Sequence, residues 1–335
     1  TYWMICPHCH NRLDTRIVLN PGKIISIVGT RSSGKTNYIT VLIDKLQRYG
    51  NRLGSLGIEK STVADDKNAI TSARYDRDFF KPLFKEGRVH AGTDVHDPYR
   101  EVPLIYTINQ SGRPPLHLVL YDTAGENLTD EQLLQNNVRY LQRSDAVIFL
   151  FDVTSIPAIH DRLIENGVAL DDIEYELEAI IQSLTGQNEI YQRLLKIPKA
   201  VVFNKFDLVL DYLATDIASF TTLNKNVNSS FIMGKAISMA DIESVSDAIR
   251  DAITTEENPN PWNDAANMWG VFPKKSEDDP QVKLFGVSAL GRNPENGEIV
   301  DAQGKPDVRP YRVLDPLVWI LYRLGYKLNF EEKTH

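Results

Sequence analysis

The sequence predicts an α/β fold with a mostly parallel six-stranded sheet, one antiparallel strand and flanking helices. From Lys23 onward, apolar runs rich in β-branched residues alternate with amphipathic stretches, which is typical of a parallel sheet covered by helices. Residues 109–115 are rich in turn formers and too few for a crossover helix, so the two strands beside them should be antiparallel and form one edge. The predicted strands are Ile24–Val28, Leu104–Ile108, Leu116–Tyr121, Ala146–Phe151, Ala200–Phe203 and Leu284–Val287.

Helices are predicted between these strands and after the last one. In the final helix the apolar residues Leu317, Ile320 and Leu321 fall on one face, so this helix should pack on the sheet. Three polar, turn-rich stretches interrupt the alternation and are interpreted as insertions in a domain of residues 23–335, at about 51–103, 208–237 and 256–281. The predicted helices are Lys35–Tyr49, about Glu131–Gln142, Asp171–Leu195, Ala240–Ile253 and Leu314–Leu324.

Composition disfavours several classes of protein. The chain has 335 residues, of which 42% are hydrophobic and 24% charged, as in ordinary globular proteins. Its formal charge of -8 argues against nucleic acid as the main partner, because phosphate backbones are held by clustered Lys and Arg. No apolar run reaches about 18 residues, so no membrane span is expected, and the start lacks the pattern of a signal peptide. Two cysteines do not make a disulfide framework, so a reducing, cytoplasmic setting is expected.

A phosphate-binding loop is predicted directly after the first strand. Residues 29–36 match GxxxxGK[ST] between an apolar strand and an amphipathic helix, where backbone N–H groups and the helix N-terminus can surround a phosphate. Lys35 is expected to bridge the β- and γ-phosphates, and the Thr36 hydroxyl to ligate magnesium. The alternative is a Gly/Ser-rich turn that happens to carry a lysine. The predicted phosphate-binding residues are Gly29, Thr30, Arg31, Ser32, Ser33, Gly34, Lys35, Thr36 and Asn37.

A base-reading motif follows the fifth predicted strand. Asn204-Lys205-Phe206-Asp207 matches NKxD, the guanine-reading motif of P-loop GTPases, which the chain from Lys23 onward resembles. The Asp207 carboxylate can accept two hydrogen bonds from guanine N1 and its exocyclic amine, whereas adenine offers no such pair. The resemblance implies that Asn204 steadies the loop and that the Lys205 stem lies over the base. Ser288-Ala289-Leu290, after the sixth strand, resembles the last GTPase motif, whose backbone contacts guanine O6.

Two switch segments are expected between these motifs. Asp122-Thr123-Ala124-Gly125 follows the third strand, where Asp122 would hold magnesium and the Gly125 N–H would touch the γ-phosphate. A second DxxG, at 301–304, has no strand before it and is discarded. Thr93 is the preferred first-switch threonine, because it precedes a strand in a loop that contains glycine, and Thr62 and Thr71 remain alternatives.

The catalytic positions depart from the usual Ras-like pattern. Glu126 stands where Ras-like proteins usually have the glutamine that orients the attacking water. Because a carboxylate is repelled by the γ-phosphate, slow turnover or dependence on a partner is expected. Arg31, in the phosphate loop, is expected to point into solvent, and the alternative is that it stabilises transition-state charge in cis.

The N-terminal residues 1–22 contain a CxxC motif. Cys6 and Cys9, with His8 and His10 beside them, resemble half of a zinc ribbon, in which zinc takes four ligands. The remaining ligands could be those histidines, His90 or His96, or cysteines beyond this sequence. A reduced CxxC or a redox pair is the alternative.

Together the CPxC knuckle, the P-loop, DTAGE and NKxD resemble the bacterial double-GTPase-type proteins of the translation-factor-related GTPase class. That resemblance implies a GTP- and magnesium-dependent switch that acts on a protein effector, or responds to an activating protein, in signalling or conflict operons. Two other classes remain open, a GTP-binding scaffold that does not hydrolyse and an ATP-using P-loop enzyme.

Overall fold

The structure of the protein is a computed structural model. It describes residues 4–5, 12–13, 18–29, 33–61, 71–90, 103–120, 141, 143–170, 192–212, 238–254 and 281–330. Two short N-terminal strands, β1 (Met4–Ile5) and β2 (Arg12–Leu13), pair antiparallel and form a small ribbon of their own.

The centre of the fold is a seven-stranded, mostly parallel sheet with the order β4-β5-β6-β3-β7-β8-β9. Of these described strands β5 alone runs against the others, because β4 and β6 each pair antiparallel with it while β3 and β6 to β9 are mutually parallel. The α/β class and the single antiparallel strand are thereby confirmed. The strands are β3 (Lys23–Gly29), β4 (Gly57–Lys60), β5 (Leu104–Asn109), β6 (Leu116–Leu120), β7 (Ala146–Asp152), β8 (Lys199–Asn204) and β9 (Val282–Gly286).

The seventh strand corrects the prediction of six. β4 lies within the stretch 51–103 that was interpreted as an insertion, and it pairs with β5 from Gly57↔Asn109 to Lys60↔Tyr106. The antiparallel strand β5 is therefore second from the edge and not at the edge. β4 was missed because an edge strand of four residues with two charges has no apolar run, so its sequence does not differ from a polar loop.

The helices agree with the prediction where the structure describes them, with three additions, one of which, Phe206–Tyr212, runs into the stretch 208–237 that was interpreted as an insertion. The predicted first, fourth and fifth helices are present, the first running on to Gly54. The insertion 51–103 also contains helical residues 71–86, and a further helix follows β7. The predicted helix at 131–142 and most of that at 171–195 lie outside the described residues. The helices are α1 (Lys35–Gly54), α2 (Thr71–Arg74), a π-helical turn (Tyr75–Phe80), α3 (Lys81–Glu86), α4 (Pro157–Glu165), α5 (Phe206–Tyr212), α6 (Met239–Thr254) and α7 (Asp315–Arg323).

Both faces of the sheet are covered, and β7 shows this most clearly. Successive side chains of a strand point to opposite faces. Ala146, Ile148 and Leu150 belong to an apolar core that contains residues of α1 and α7, and Val147, Phe149 and Phe151 belong to a second core that contains residues of α4 and α5. This burial on both faces explains why the strand is a continuous apolar run. In the part of the chain that the structure describes, no helix is both long and apolar enough to cross a membrane.

The sheet brings the predicted motifs to one edge. β3, β7, β8 and β9 are neighbours and parallel, so their carboxyl ends meet on the same side of the molecule. In open α/β sheets this side is the usual place for a ligand.

Candidate functional site

The candidate site lies at the carboxyl ends of β3, β7, β8 and β9. Strand register places Gly29 beside Leu150, Asp152 beside Asn204, and Phe203 beside Gly286. The residues that begin the phosphate loop and the NKxD motif are therefore fixed by the hydrogen bonds of a rigid sheet.

A side chain would be crowded at two glycines of the phosphate loop. A Cβ atom on Gly29 would lie 2.8 Å from Ser33 Oγ and 3.3 Å from the Leu150 carbonyl oxygen. Gly34 has φ 72° in the left-handed region, and a Cβ atom there would lie 2.7 Å from Asn204 Nδ2. Lys35 follows as a buried residue in the first turn of α1. At these two positions the surrounding atoms thus leave little room for a side chain.

Asn204 connects the phosphate loop to the base-reading loops. Its Nδ2 donates to the Ser33 carbonyl oxygen at 2.8 Å, and its Oδ1 accepts from the Ala289 N–H at 3.2 Å. The side chain is buried, with 2% exposed. Three segments that are distant in sequence are therefore held together by one amide.

Lys205 is positioned by a carboxylate that the sequence analysis missed. Lys205 has φ 59°, and its Nζ lies 2.6 Å from Asp152 Oδ2. The other carboxylate oxygen of Asp152 accepts from both the N–H and the hydroxyl of Thr154, at 2.9 and 2.7 Å. Asp152 directly follows an apolar strand in the sequence, which is the same pattern that identifies Asp122 as a candidate. This pattern could have indicated Asp152 as a site residue.

Asp207 is a buried carboxylate in the first turn of α5. Backbone hydrogen bonds join this turn to the residue that follows β9. The Phe206 N–H donates to Val287 O at 3.0 Å, and the Val287 N–H donates to Phe203 O at 2.8 Å. Burial raises the pKa of Asp207, and a hydrogen bond from Ser288 opposes part of that shift. Burial separates this carboxylate from the water that would hydrogen-bond to it. A ligand that offers two N–H donors would replace those hydrogen bonds.

The loop Ser288–Leu290 is held by backbone hydrogen bonds to Tyr311 and by a bond of its own to Gly291. Ser288 and Tyr311 exchange backbone hydrogen bonds at 3.0 and 2.8 Å, and the Ser288 hydroxyl accepts from the Gly291 N–H at 2.7 Å. Next to Tyr311, the buried Arg312 lies between the carboxylates of Asp241 and Asp315, at 2.9 and 2.6 Å. This ion-pair cluster joins the loop to α6 and α7.

The side chains of Asn37, Thr71 and Asp301 make hydrogen bonds within the protein. The side-chain amide of Asn37 bonds to the backbone of His90, so any contact of Asn37 with phosphate is left to its own N–H. The Thr71 hydroxyl accepts from the Ile105 N–H at 3.1 Å and is buried at the start of α2, so its described contact is with β5. The Asp301 carboxylate closes its own turn by accepting from Gln303 and Lys305, in agreement with discarding the second DxxG.

Several predicted residues lie outside the described part of the chain: Thr30, Arg31, Ser32, Thr62, Thr93, Asp122, Gly125, Glu126, Cys6 and Cys9. Among the residues that are described, no group of three or more His, Cys, Asp or Glu side chains is placed to hold a metal ion.

The comparisons with known proteins are distant. No protein-family profile matches the chain. One curated relative is SaeC of Mycolicibacterium smegmatis, provisionally assigned to ESX-1 scaffolding and assembly, which is 24% identical over 340 residues that cover 96% of this chain and 80% of SaeC.

Among solved structures, the signal recognition particle receptor SRb-GTP/SRX complex from Chaetomium thermophilum matches with a TM-score of 0.32 and 14% identity, covering 82% of this chain and 94% of that one. The Ski7 GTPase-like domain of S. cerevisiae bound to GDP and inorganic phosphate matches with a TM-score of 0.39 and 11% identity, covering 96% of this chain and 54% of that one. The α/β fold assignment therefore rests on the chain's own strand order and register.

The raised pKa of Asp207 gives a pH-dependent contribution to stability. Since the folded pKa lies above the unfolded one, the native state binds more protons between the two values, and stability is lost as pH rises through that window. We expect the stability of Asp207→Asn relative to wild type to increase as pH rises from the ordinary titration range of an aspartate through the raised pKa of Asp207, by about 1.4 kcal/mol per unit of pKa shift. Urea unfolding across that range measures it. Asp76→Asn, at an exposed helical carboxylate, is the control, and equal pH dependence in both variants would contradict the expectation.

Proposed function

We propose that the protein binds GTP with magnesium, hydrolyses it slowly, and acts as a switch on a protein partner in the cytoplasm. The observation that supports this most is the pair of hydrogen bonds from Asn204, because they hold the glycine-rich loop and both base-reading loops in one arrangement. A ligand that fills this site has a phosphate tail at one end and a base with paired donors at the other. A guanine nucleotide has both features.

The phosphate end would be bound mainly by backbone groups. Gly29 and Gly34 keep side chains away from the curve of the loop, and the N-terminus of the 20-residue helix α1 faces it. The Lys35 ammonium would bridge the β- and γ-phosphates. Backbone N–H donors and the buried Lys35 would together suit the tail of a nucleoside triphosphate.

The base end would be read by Asp207 and enclosed by two loops. The buried carboxylate would accept from guanine N1 and its amine, while the loop Ser288–Leu290, which Asn204 holds through the Ala289 N–H, would lie beside O6. The Lys205 stem would lie over the ring, held there by its ion pair with Asp152. This last contact pre-orders a flexible side chain before the base arrives.

Magnesium would be held by the hydroxyls of Thr36 and Thr93 and, through water, by Asp122. When bound, it neutralises charge on the β- and γ-phosphates. The Gly125 N–H would contact the γ-phosphate, and Glu126 would lie beside the attacking water. Because Glu126 is charged, we propose that turnover is slow until a partner or another side chain compensates.

A second candidate function is a GTP-binding scaffold that does not hydrolyse. Glu126 favours it, and so does the distant likeness to a protein provisionally assigned to scaffolding and assembly. Both functions imply protein partners. We place the switch in a bacterial signalling or conflict system, on the resemblance of the CPxC, P-loop, DTAGE and NKxD motifs.

Nucleotide specificity tests the central proposal. Wild type should bind GTP at least about 100-fold more tightly than ATP, since two buried hydrogen bonds to a charged group are lost with adenine. Asp207→Asn should prefer xanthosine triphosphate, because its amide can donate to the xanthine O2. Competition against labelled GTP measures both.

Asp211→Asn, one turn later on α5 and exposed, is the matched control and should keep the preference for GTP. Equal competition by ATP and GTP on wild type would end the GTP proposal.

Hydrolysis separates the switch from the scaffold. We expect purified protein to release phosphate from GTP on the order of 10⁻³ per second or more slowly, with faster release when fractions of a host lysate are added. Lys35→Ala should abolish release, whereas Lys45→Ala, in the same helix, should not. Release that is no faster than for Lys35→Ala, with and without lysate, would favour the scaffold.

The N-terminal ribbon leads to a separate proposal of bound zinc. β1 and β2 pair as Met4↔Leu13 and Ile5↔Arg12, and Cys6 and Cys9 lie between them in sequence, as in one half of a zinc ribbon. We expect zinc in the purified protein by elemental analysis, and its loss in a double Cys6→Ser, Cys9→Ser variant. A zinc-free wild type with full nucleotide binding would remove zinc from the proposal and leave the remainder intact.

A further inference from the structure

Residues Gly87–His90, called the junction below, are held by three separate elements. The first is α1. Asn37 Nδ2 donates to the His90 carbonyl oxygen at 3.1 Å, and Asn37 Oδ1 accepts from the His90 N–H at 3.3 Å. One side chain thus satisfies both backbone groups of His90, as a neighbouring β-strand would. Asn37 is 5% exposed and follows Thr36 directly.

The second element is the segment 291–310, called the excursion, which leaves and returns at the base-reading loop. Val89 N–H donates to Gly297 O at 2.9 Å, and Ile299 N–H donates to Gly87 O at 2.7 Å. At the base of the excursion, Arg309 N–H donates to Leu290 O at 2.8 Å. The junction and the loop Ser288–Leu290 are therefore joined by continuous backbone pairing.

The fit between the junction and the excursion is close. Gly87 has φ 68°, and a Cβ atom on it would lie 2.5 Å from Val300 Cγ1. The excursion has its own left-handed glycine, Gly304, with φ 74° and nothing within 4 Å of a Cβ atom. These two glycines share the same backbone strain and differ in contact with the junction.

The third element is the π-helical turn. His90 Nε2 lies 3.2 Å from the Phe79 carbonyl oxygen, and the two rings are 6.0 Å apart. A π turn inserts an extra residue into a helix, and such turns are frequent at functional sites. His90 is thus fixed through its backbone by α1 and through its ring by the turn.

We propose that Asn37 is a positioning residue for the γ-phosphate of GTP, acting through the junction and supported by the excursion. This inference rests on the proposed function. Asn37 lies one residue after the proposed magnesium ligand Thr36, and it fixes His90, which stands three residues before the other proposed ligand, Thr93, in the sequence. These bonds fix the last described residue before Thr93, and in switch GTPases the segment that carries such a ligand is ordered by contacts with the γ-phosphate and magnesium.

The test compares GTP with GDP. Asn37→Ala should weaken binding of a non-hydrolysable GTP analogue with magnesium by about 10-fold, as expected for two lost hydrogen bonds, and leave GDP affinity unchanged. Tyr75→Phe is the control, since it removes the buried bond from the Tyr75 hydroxyl to the Thr40 carbonyl oxygen of α1 at 2.7 Å, while it keeps the ring beside Phe79 and the hydrogen bonds of the junction. Fluorescent nucleotide titrations give both affinities, and circular dichroism verifies that the variants are folded.

The excursion is tested with the two glycines. Gly87→Ala should reproduce the selective loss of GTP-analogue binding, and Gly304→Ala should not. Equal loss of both nucleotides in Asn37→Ala, or no loss of either, would overturn the inference while the proposed function stands. A wild type that binds neither nucleotide would instead overturn the proposed function and this inference with it.

Discussion

The amide of Asn204 is the contact on which the geometry of the site depends. It uses one donor and one acceptor on two loops that are far apart in sequence, and it is buried, so neither bond is exchanged with water. Leaving a buried polar group without its partner costs about 1–3 kcal/mol, so the two loops are favoured in one relative position. Gly34 supports this arrangement, because any side chain there would occupy the space of the Asn204 amide.

Much of the fold was predictable from the sequence because most strands of this sheet are buried on both faces. β7 and β8 read as unbroken apolar runs, and the motifs were located by the strands that precede them. The ends of β3, β8 and β9, at Gly29, Asn204 and Gly286, lie on the same side of the sheet, as the parallel topology requires. Position after a strand also separates the DxxG at 122–125 from the second copy at 301–304. The Asp301 carboxylate of the second copy accepts a hydrogen bond within its own turn.

Features that depend on contacts between distant segments could not be predicted. β4 is a strand only because β5 offers it a partner, and its own residues carry no apolar pattern. The role of Asn37 depends on the backbone of His90, which no local spacing reveals. Asp152 is different, because its place after an apolar strand was visible, but its significance depends on Lys205 reaching it from the next strand.

The base of the excursion has a practical consequence. Ser288 and Tyr311 are paired with each other, which anchors both ends of the excursion beside the sheet. The tip, at Asp301–Gly304, is a tight turn in which residues 302–304 are exposed, and a Cβ atom on Gly304 would have no described atom within 4 Å. Surface turns of this kind tolerate grafted groups. A dye attached at this turn would therefore lie on the excursion, which contacts both the loop Ser288–Leu290 and the junction.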